Sequence, residues 1–204
     1  NIPGDKSISH RSIIIPSISN GICEINNILK SEDVLHTINA FKNMGVKIRE
    51  ENRKIVVHGN GLNSLKKPSK KLYLGNSGTS ARLLTGLLSS QKFDTVLAGD
   101  ESLSKRPMKR ISDPLMKMNA RIQTANGNLP IKINGSELVP AYFDLKIPSA
   151  QIKSGILLAC LNTRGETIII ENRITRDHTE TMLDSFGANI GIEKKDNKKL
   201  IKIF

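Results

Sequence analysis

Apolar residues in this chain come in short runs, entered through small polar residues and left through Gly or Asn. The first run is Ile13-Ile14-Ile15, entered through Pro3-Gly4-Asp5-Lys6-Ser7-Ile8-Ser9-His10-Arg11-Ser12. A Pro-Gly turn followed by Asp and Ser ahead of an apolar run predicts a helix N-terminus. The helix is placed over residues 7–19, closing at Asn20-Gly21, with Pro16 kinking it or ending it early. A strand over 23–28 follows, then a second helix entered at Ser31-Glu32-Asp33, whose acids read as first-turn capping residues. Helical ends of one design recur at 40–48, 115–122 and 182–190, with Gly45, Asn119 and Gly187 just past the last turn. Each leads into a strand-like segment, a polar turn and a second strand, at 54–58, 130–134 and 199–204.

The three markers stand 74 and 68 residues apart. A unit of about 70 residues therefore recurs three times, over about 1–70, 71–140 and 141–204. That is too long for a solenoid repeat and predicts a supersecondary module, βαβαββ or close to it, in a single α/β domain. Within the second unit, Leu72-Tyr73-Leu74 opens a strand and 95–98 forms another. Residues 99–107 form a loop carrying Asp100, Glu101, Lys105 and Arg106, and Ser112-Asp113-Pro114 either starts the next helix or kinks it. The third unit has a helix over 150–162, a strand over 167–171, and a capping box made by Asp177 and Glu180.

The units also open alike. Beside residues 6–12 stand Gly75-Asn76-Ser77-Gly78-Thr79-Ser80-Ala81-Arg82 and Pro148-Ser149-Ala150-Gln151-Ile152-Lys153-Ser154, each leading into an apolar helix. Each places a cation four residues after a small one: Ser7/Arg11, Gly78/Arg82 and Ser149/Lys153. Four residues apart is one helix face. Free amides, hydroxyls and cations at a helix start suit a phosphate or carboxylate. One such end can equally be a solvated cap, but three-fold recurrence points three helix N-termini at one place. Arg176, just ahead of the capping box, is left over for a ligand. The Gly75–Thr79 turn lacks the Gly-Lys-Ser/Thr ending of a Walker loop.

Composition narrows the ligand. The chain has 204 residues, 38% of them hydrophobic, with 31 Lys and Arg against 19 Asp and Glu, a net charge of +12. Part of that excess sits in solvated turns, Lys66-Lys67-Pro68-Ser69-Lys70-Lys71 and Lys194-Lys195-Asp196-Asn197-Lys198-Lys199. Five Phe, two Tyr and no Trp leave little to stack on bases. A small, multiply anionic ligand fits better than nucleic acid. Cys23 and Cys160 sit in apolar contexts and read as buried thiols of a reducing, cytoplasmic compartment. No apolar run approaches the ~18 residues of a membrane span. The four histidines show no paired ligand spacing, so no metal site is expected. The start at Asn1 rather than Met reads as a trimmed end.

With these motifs quoted, the chain resembles the N-terminal substrate-binding domain of the 5-enolpyruvylshikimate-3-phosphate synthase family. The resemblance runs through 3–12, 74–84, 99–108, 148–159 and 175–188, and its phrasing is similar to the bacterial class II subgroup. The resemblance implies an enolpyruvyl transferase fold (an inside-out α/β barrel): two similar domains, each of three βαβαββ units with helix N-termini facing a cleft. It implies transfer of the enolpyruvyl group of phosphoenolpyruvate to the 5-hydroxyl of shikimate 3-phosphate by addition and elimination, without cofactor or metal. It implies shikimate 3-phosphate contacts from Lys6, Ser7, Arg11, Ser149, Ala150, Gln151 and Arg176. Phosphoenolpyruvate contacts fall to Lys6, Gly78, Arg106 and Gln151, with Lys6 the one candidate proton donor. In this family glyphosate occupies the phosphoenolpyruvate pocket, and Gly78, where tolerant class II enzymes carry Ala, implies an open, sensitive pocket.

The family's acid/base carboxylates lie in a second domain, which the resemblance places outside this chain. A monomeric half-enzyme is therefore expected, one that binds shikimate 3-phosphate without turnover, with the second domain as its partner. The sister family acting on UDP-N-acetylglucosamine has a cysteine in the loop corresponding to 99–107, where this chain has none. A basic nucleic-acid-binding module is the rival from another class, distinguished by binding to random DNA with a steep salt dependence.

Overall fold

A computed structural model of the chain describes residues 4–195 and 197–204. Residues 1–3, which include the Pro3 of the opening motif and the Asn1 start, and Asp196 of the last basic turn lie outside the described residues. The first stretch folds as α1 (Lys6–Ser17), β1 (Asn20–Ile25), α2 (Glu32–Asn43), β2 (Lys47–Glu51) and β3 (Lys54–Asn60). The second folds as β4 (Leu72–Tyr73), α3 (Gly78–Ser89), β5 (Thr95–Ala98), α4 (Glu101–Ser104), α5 (Lys109–Lys117), β6 (Arg121–Ala125) and β7 (Asn128–Asn134). The third is β8 (Tyr142–Leu145), α6 (Ala150–Cys160), β9 (Thr167–Glu171), α7 (His178–Ser185), β10 (Ile190–Lys195) and β11 (Lys198–Ile203).

Each stretch makes its own sheet, with strand orders β1-β3-β2, β4-β5-β7-β6 and β10-β11-β9-β8. The last two run βαβαββ, with β4–β5 and β8–β9 parallel and the remaining pairs antiparallel. The sheets turn one face inward. On β7, Leu129, Ile131 and Ile133 are buried while Pro130 and Lys132 are exposed, the period-2 pattern of a one-sided strand. Gly45, Asn119 and Gly187 all take left-handed backbone (φ 88, 69 and 84), so the expected helix ends are where the sequence places them.

Several boundaries differ from the sequence reading. Helix α1 keeps Pro16 inside and ends at Ser17, and β1 starts at Asn20 rather than 23. The ladder explains the shift: β1 pairs with β3 from Asn20 opposite Asn60 to Ile25 opposite Ile55, and the chain leaves it through the left-handed Asn27. The 99–107 loop contains the single-turn α4, capped by Asp100, which accepts from the Leu103 amide at 2.7 Å. Helix α5 is under way before Pro114, because the Ile111 and Ser112 amides already bond Met108 O. Cys23 is only half-buried, whereas Cys160 is buried and its thiol is pushed up to about 12 by that burial.

The core forms where the helices meet. In α3, Leu83, Leu84, Leu87 and Leu88 are fully buried, each contributing roughly 1.5–3 kcal/mol relative to exposure. Helices α3 and α6 cross at two glycines: a Cβ on Gly86 would lie 1.9 Å from Gly155 O, and one on Gly155 2.9 Å from Arg82 O. Only glycine permits this approach. With about 3.6 residues per turn, the crossing lies roughly two turns from the start of α3 and one and a half from that of α6, so the two N-termini emerge close together.

Candidate functional site

Three helix starts share one end of the molecule. Asp5 caps α1 by accepting from the Ile8 amide at 2.8 Å, Ser77 caps α3 by accepting from Ser80 at 3.1 Å, and Ser149 caps α6 by accepting from Ile152 at 3.4 Å. Each cap absorbs one orphan amide and leaves others facing outward with the positive end of the helix dipole. Hydrogen bonds near these starts join the three. Ser80 Oγ on α3 lies 3.3 Å from His10 Nδ1 on α1, and Gln151 Nε2 on α6 donates to Thr79 Oγ1 on α3 at 3.0 Å. Arg176, ahead of α7, donates to Ser7 Oγ at 3.3 Å.

The expected site residues fall into two joined groups. On the α1–α6–α7 side, Arg11 is 3% exposed and heavily committed. Its Nε donates to Thr179 Oγ1 at 2.5 Å, Nη1 to Ser7 O at 2.8 Å and Nη2 to Ser154 Oγ at 2.8 Å. Three of its five N–H groups are thereby used. Burial lowers its pKa to about 10 with Glu180 opposing the shift, so it stays cationic at neutral pH. Ser149, Ala150, Gln151 and Arg176 line an adjoining cleft of about 490 Å³.

On the α3–α6 side, Arg82 donates to Gln151 Oε1 at 2.9 Å and to Gly78 O at 3.2 Å. Burial, with the charges of Arg106 and Arg110, lowers its pKa. Arg106 donates to Asn76 Oδ1 and lines a cleft of about 700 Å³ with Asp100, Glu101 and Lys105. A Cβ on Gly78 would lie 2.8 Å from Arg82 Nη1 and 3.1 Å from Arg106 Nη1, so the bare glycine is what lets both guanidinium groups crowd the start of α3. Gln151 belongs to both groups. Lys6 stands beside them, its Nζ 2.9 Å from Asp33 Oδ2 on α2, so Asp33 does more than cap its own helix.

One expected cation is absent from this face. Lys153 lies four residues after Ser149, as Arg11 does after Ser7, but it is fully buried between Glu171 (2.8 Å) and Glu180 (2.7 Å). Its neighbours on α6, Ile152, Ile156 and Leu157, are core residues, and the helix carries it into the interior with them. The Asp177–Glu180 capping box does not form either. Asp177 makes no side-chain cap bond, and Glu180 turns inward to Lys153 and to Lys199 at 2.8 Å. Lys199 is thus a core cation and not part of a solvated turn, whereas Lys194, Lys195 and Lys198 are exposed as expected.

The sequence reading missed His10. It is fully buried, with Nδ1 2.8 Å from Thr37 Oγ1. Burial, with the charges of Arg11 and Lys6 and against that of Asp33, pushes its pKa down to about 4. It is a neutral spacer between α1, α2 and α3. The signal was its place in the opening motif, one residue before Arg11 on a helix whose next turn is all Ile.

An α/β domain of βαβαββ units, with three helix N-termini and several cations at one end, has the chemistry that suits small phosphorylated and carboxylated ligands. Comparison with known proteins gives that class its family. A family model described as EPSP synthase (3-phosphoshikimate 1-carboxyvinyltransferase) matches residues 1–202, and the chain belongs to that family. It is 54% identical over 194 residues to the 3-phosphoshikimate 1-carboxyvinyltransferase of Ruthia magnifica, covering 95% of this chain and 45% of that protein. Its counterpart in Streptococcus agalactiae serotype Ia is 48% identical over 198 residues, 96% of this chain and 46% of that one. A solved EPSP synthase from Acinetobacter baumannii superimposes with a TM-score of 0.93 at 49% identity, covering all of this chain and 46% of that one. The chain thus spans a little under half the length of these relatives.

Proposed function

We propose that this chain is the shikimate 3-phosphate-binding part of an enolpyruvyl transferase. In the reaction the 5-hydroxyl of shikimate 3-phosphate adds to C2 of phosphoenolpyruvate while a proton goes to its methylene carbon. Loss of phosphate and of a methyl proton then restores the carbon–carbon double bond, now in an enol ether to the 5-oxygen. Supporting this reading is the meeting of three helix N-termini through the Ser80–His10 and Thr79–Gln151 bonds, with Arg176 bonded to Ser7 beside them, in a chain of this family.

Shikimate 3-phosphate is held by Lys6, Ser7 and Arg11 from α1, by Ser149, Ala150 and Gln151 from α6, and by Arg176. The phosphate takes the helix starts and hydroxyls, where backbone amides and cations act together. Phosphoenolpyruvate lies over Gly78, with Arg106 on its carboxylate or phosphate and Lys6 and Gln151 between the two substrates. Arg82 joins the set by holding Gln151 Oε1, which leaves the Gln151 amide nitrogen on Thr79. Lys6 carries protons able to reach the methylene carbon, and Asp33 fixes its ammonium at the mouth of the site. Neither cofactor nor metal has a part. A second domain closes the site and supplies the remaining acid/base groups, and the protein works as a cytoplasmic monomer.

The test is calorimetric or NMR titration of the 204-residue chain with shikimate 3-phosphate, paired with an assay of phosphate release. Expected are saturable binding centred on Ser7, Gln151 and Arg176, and no turnover. Phosphate release from both substrates by the pure chain, or perturbation confined to the Lys66–Lys71 turn, refutes the reading.

A further inference from the structure

The substrate reading leaves unused the most buried charges in the chain. Lys153, Glu171, Glu180 and Lys199 form one connected network, each side chain at most 1% exposed. Lys153 Nζ meets Glu171 Oε2 at 2.8 Å and Glu180 Oε1 at 2.7 Å, and Lys199 Nζ meets the same Glu180 oxygen at 2.8 Å. Two cations balance two anions. Burying such groups is costly, and apolar side chains of similar volume serve stability as well or better. What the network has that an apolar cluster lacks is a directed bond at one end and a charge contact at the other.

Those ends reach one place. Glu171 Oε1 accepts from Thr175 Oγ1 at 2.5 Å, and Lys199 Nζ lies 3.8 Å from Asp177 Oδ2. Thr175 and Asp177 are the two chain neighbours of Arg176. Arg176 is exposed, and its bond to Ser7 Oγ, at 3.3 Å, engages one nitrogen only, which does not by itself fix the plane of a guanidinium. We infer that the buried network is a positioning device for Arg176, with the Glu171–Thr175 bond as its grip. Glu171 is suited to this because one carboxylate oxygen is anchored on the core cation Lys153 and the other is free to hold the loop. Thr175 and Glu171 are positioning residues, since neither needs to touch the substrate for the device to work. The inference rests on Arg176 being a ligand of the shikimate 3-phosphate phosphate.

Thr175→Val removes the hydroxyl at nearly constant shape, and Thr175→Ser keeps it. The experiment compares both with wild type, Arg176→Ala and the Thr175→Val/Arg176→Ala double variant, all in the 204-residue chain. Backbone NMR relaxation of residues 175–177 reads the grip without ligand, and titration with shikimate 3-phosphate reads its consequence. Expected are a rigid segment in wild type and Thr175→Ser and a loosened one in Thr175→Val. The affinity of Thr175→Val should fall about tenfold, with no further loss when the same change is made in Arg176→Ala. A segment as rigid in Thr175→Val as in wild type overturns the inference, as does a loss that adds in full to that of Arg176→Ala. If Arg176→Ala binds like wild type while Thr175→Val loosens the segment, the grip stands and the assignment of Arg176 to the phosphate falls.

Discussion

Lys153 is the residue on which a substrate-site reading and a core reading make opposite demands, so Lys153→Met decides between them. Were Lys153 a third cation in the anion site, removing it would relieve repulsion with Arg11 and Arg176 and leave the unliganded chain as stable or more so. In the structure its ammonium is the cation that meets Glu171, whereas Glu180 keeps Lys199. Methionine fills similar space, so the change leaves one buried carboxylate uncompensated and little cavity. Breaking a buried pair this way costs about 3–5 kcal/mol. A domain is stable by only ~5–15 kcal/mol. For a chain of this size each kcal/mol shifts the melting temperature by roughly 2–4 °C, so Lys153→Met should melt about 6–20 °C lower. Lys153→Met/Glu171→Gln removes the stranded charge while retaining an acceptor for Thr175, and should recover most of the loss. The assay is thermal and urea unfolding followed by circular dichroism. A single variant melting at or above wild type, or a double variant showing the sum of two separate losses, refutes the reasoning.

His10 should make the chain acid-sensitive: its pKa is near 4 folded against 6.5 unfolded, so stability is present in full above about 6.5 and drains away as pH falls towards 4. The full shift corresponds to about 3 kcal/mol, and His10→Asn should flatten the dependence of the urea midpoint between pH 7.5 and 4.5; parallel curves for the two proteins would count against it. Arg11→Ala should weaken shikimate 3-phosphate about ten- to a hundredfold and also lower stability, because Ser7 O and the buried hydroxyls of Ser154 and Thr179 lose their donor, whereas Arg106→Ala should leave stability alone and, with a second domain present, raise the Michaelis constant for phosphoenolpyruvate. Equal effects of both on one substrate would show the subsites wrongly divided. Gly78→Ala meets only the flexible guanidinium ends of Arg82 and Arg106, which can give way cheaply, but it adds a methyl where phosphoenolpyruvate is proposed to lie, and in a two-domain protein should raise the inhibition constant of glyphosate by about tenfold or more while weakening phosphoenolpyruvate less. Unchanged inhibition would place the determinant elsewhere.

What was legible in the sequence was what local chemistry dictates. The three left-handed helix ends at Gly45, Asn119 and Gly187, and the small polar stretches that lead into α3 and α6, follow from local residue types. Where a reading failed, the competing term was a partner distant in sequence. The start of β1 is set by Asn60 and Gly59 across the ladder, which no window around Cys23 contains. The capping-box signature of Asp177 and Glu180 is sound locally and loses to Lys153 and Lys199, 27 and 19 residues from Glu180. A cap bond worth about 1 kcal/mol cannot hold Glu180 at the surface when two buried ammonium groups would be left short of an anion.

The buried charges nevertheless left a trace in the alternation. On β11, Lys199 shares a strand face with the core residues Ile201 and Ile203, and on β9 Glu171 shares one with Thr167 and Ile169. Lys153 shares a helix face with Ile156 and Leu157. Each reads as an error in an otherwise apolar pattern, and taken singly each looks like a solvated residue at the end of its element. Taken together they are two cations and one anion on inward faces of one unit, and their charge demands a second anion. Glu180 is an acid placed where α7 begins, and α7 packs on both α1 and α6. Charge balance among inward-facing positions therefore carries information that residue-by-residue periodicity discards. It also separates the two kinds of cation in this chain: Lys153 and Lys199 are neutralised inside, whereas Arg82, Arg106 and Arg176 form no ion pair among the described residues and are bonded to neutral partners, Gln151, Asn76 and Ser7.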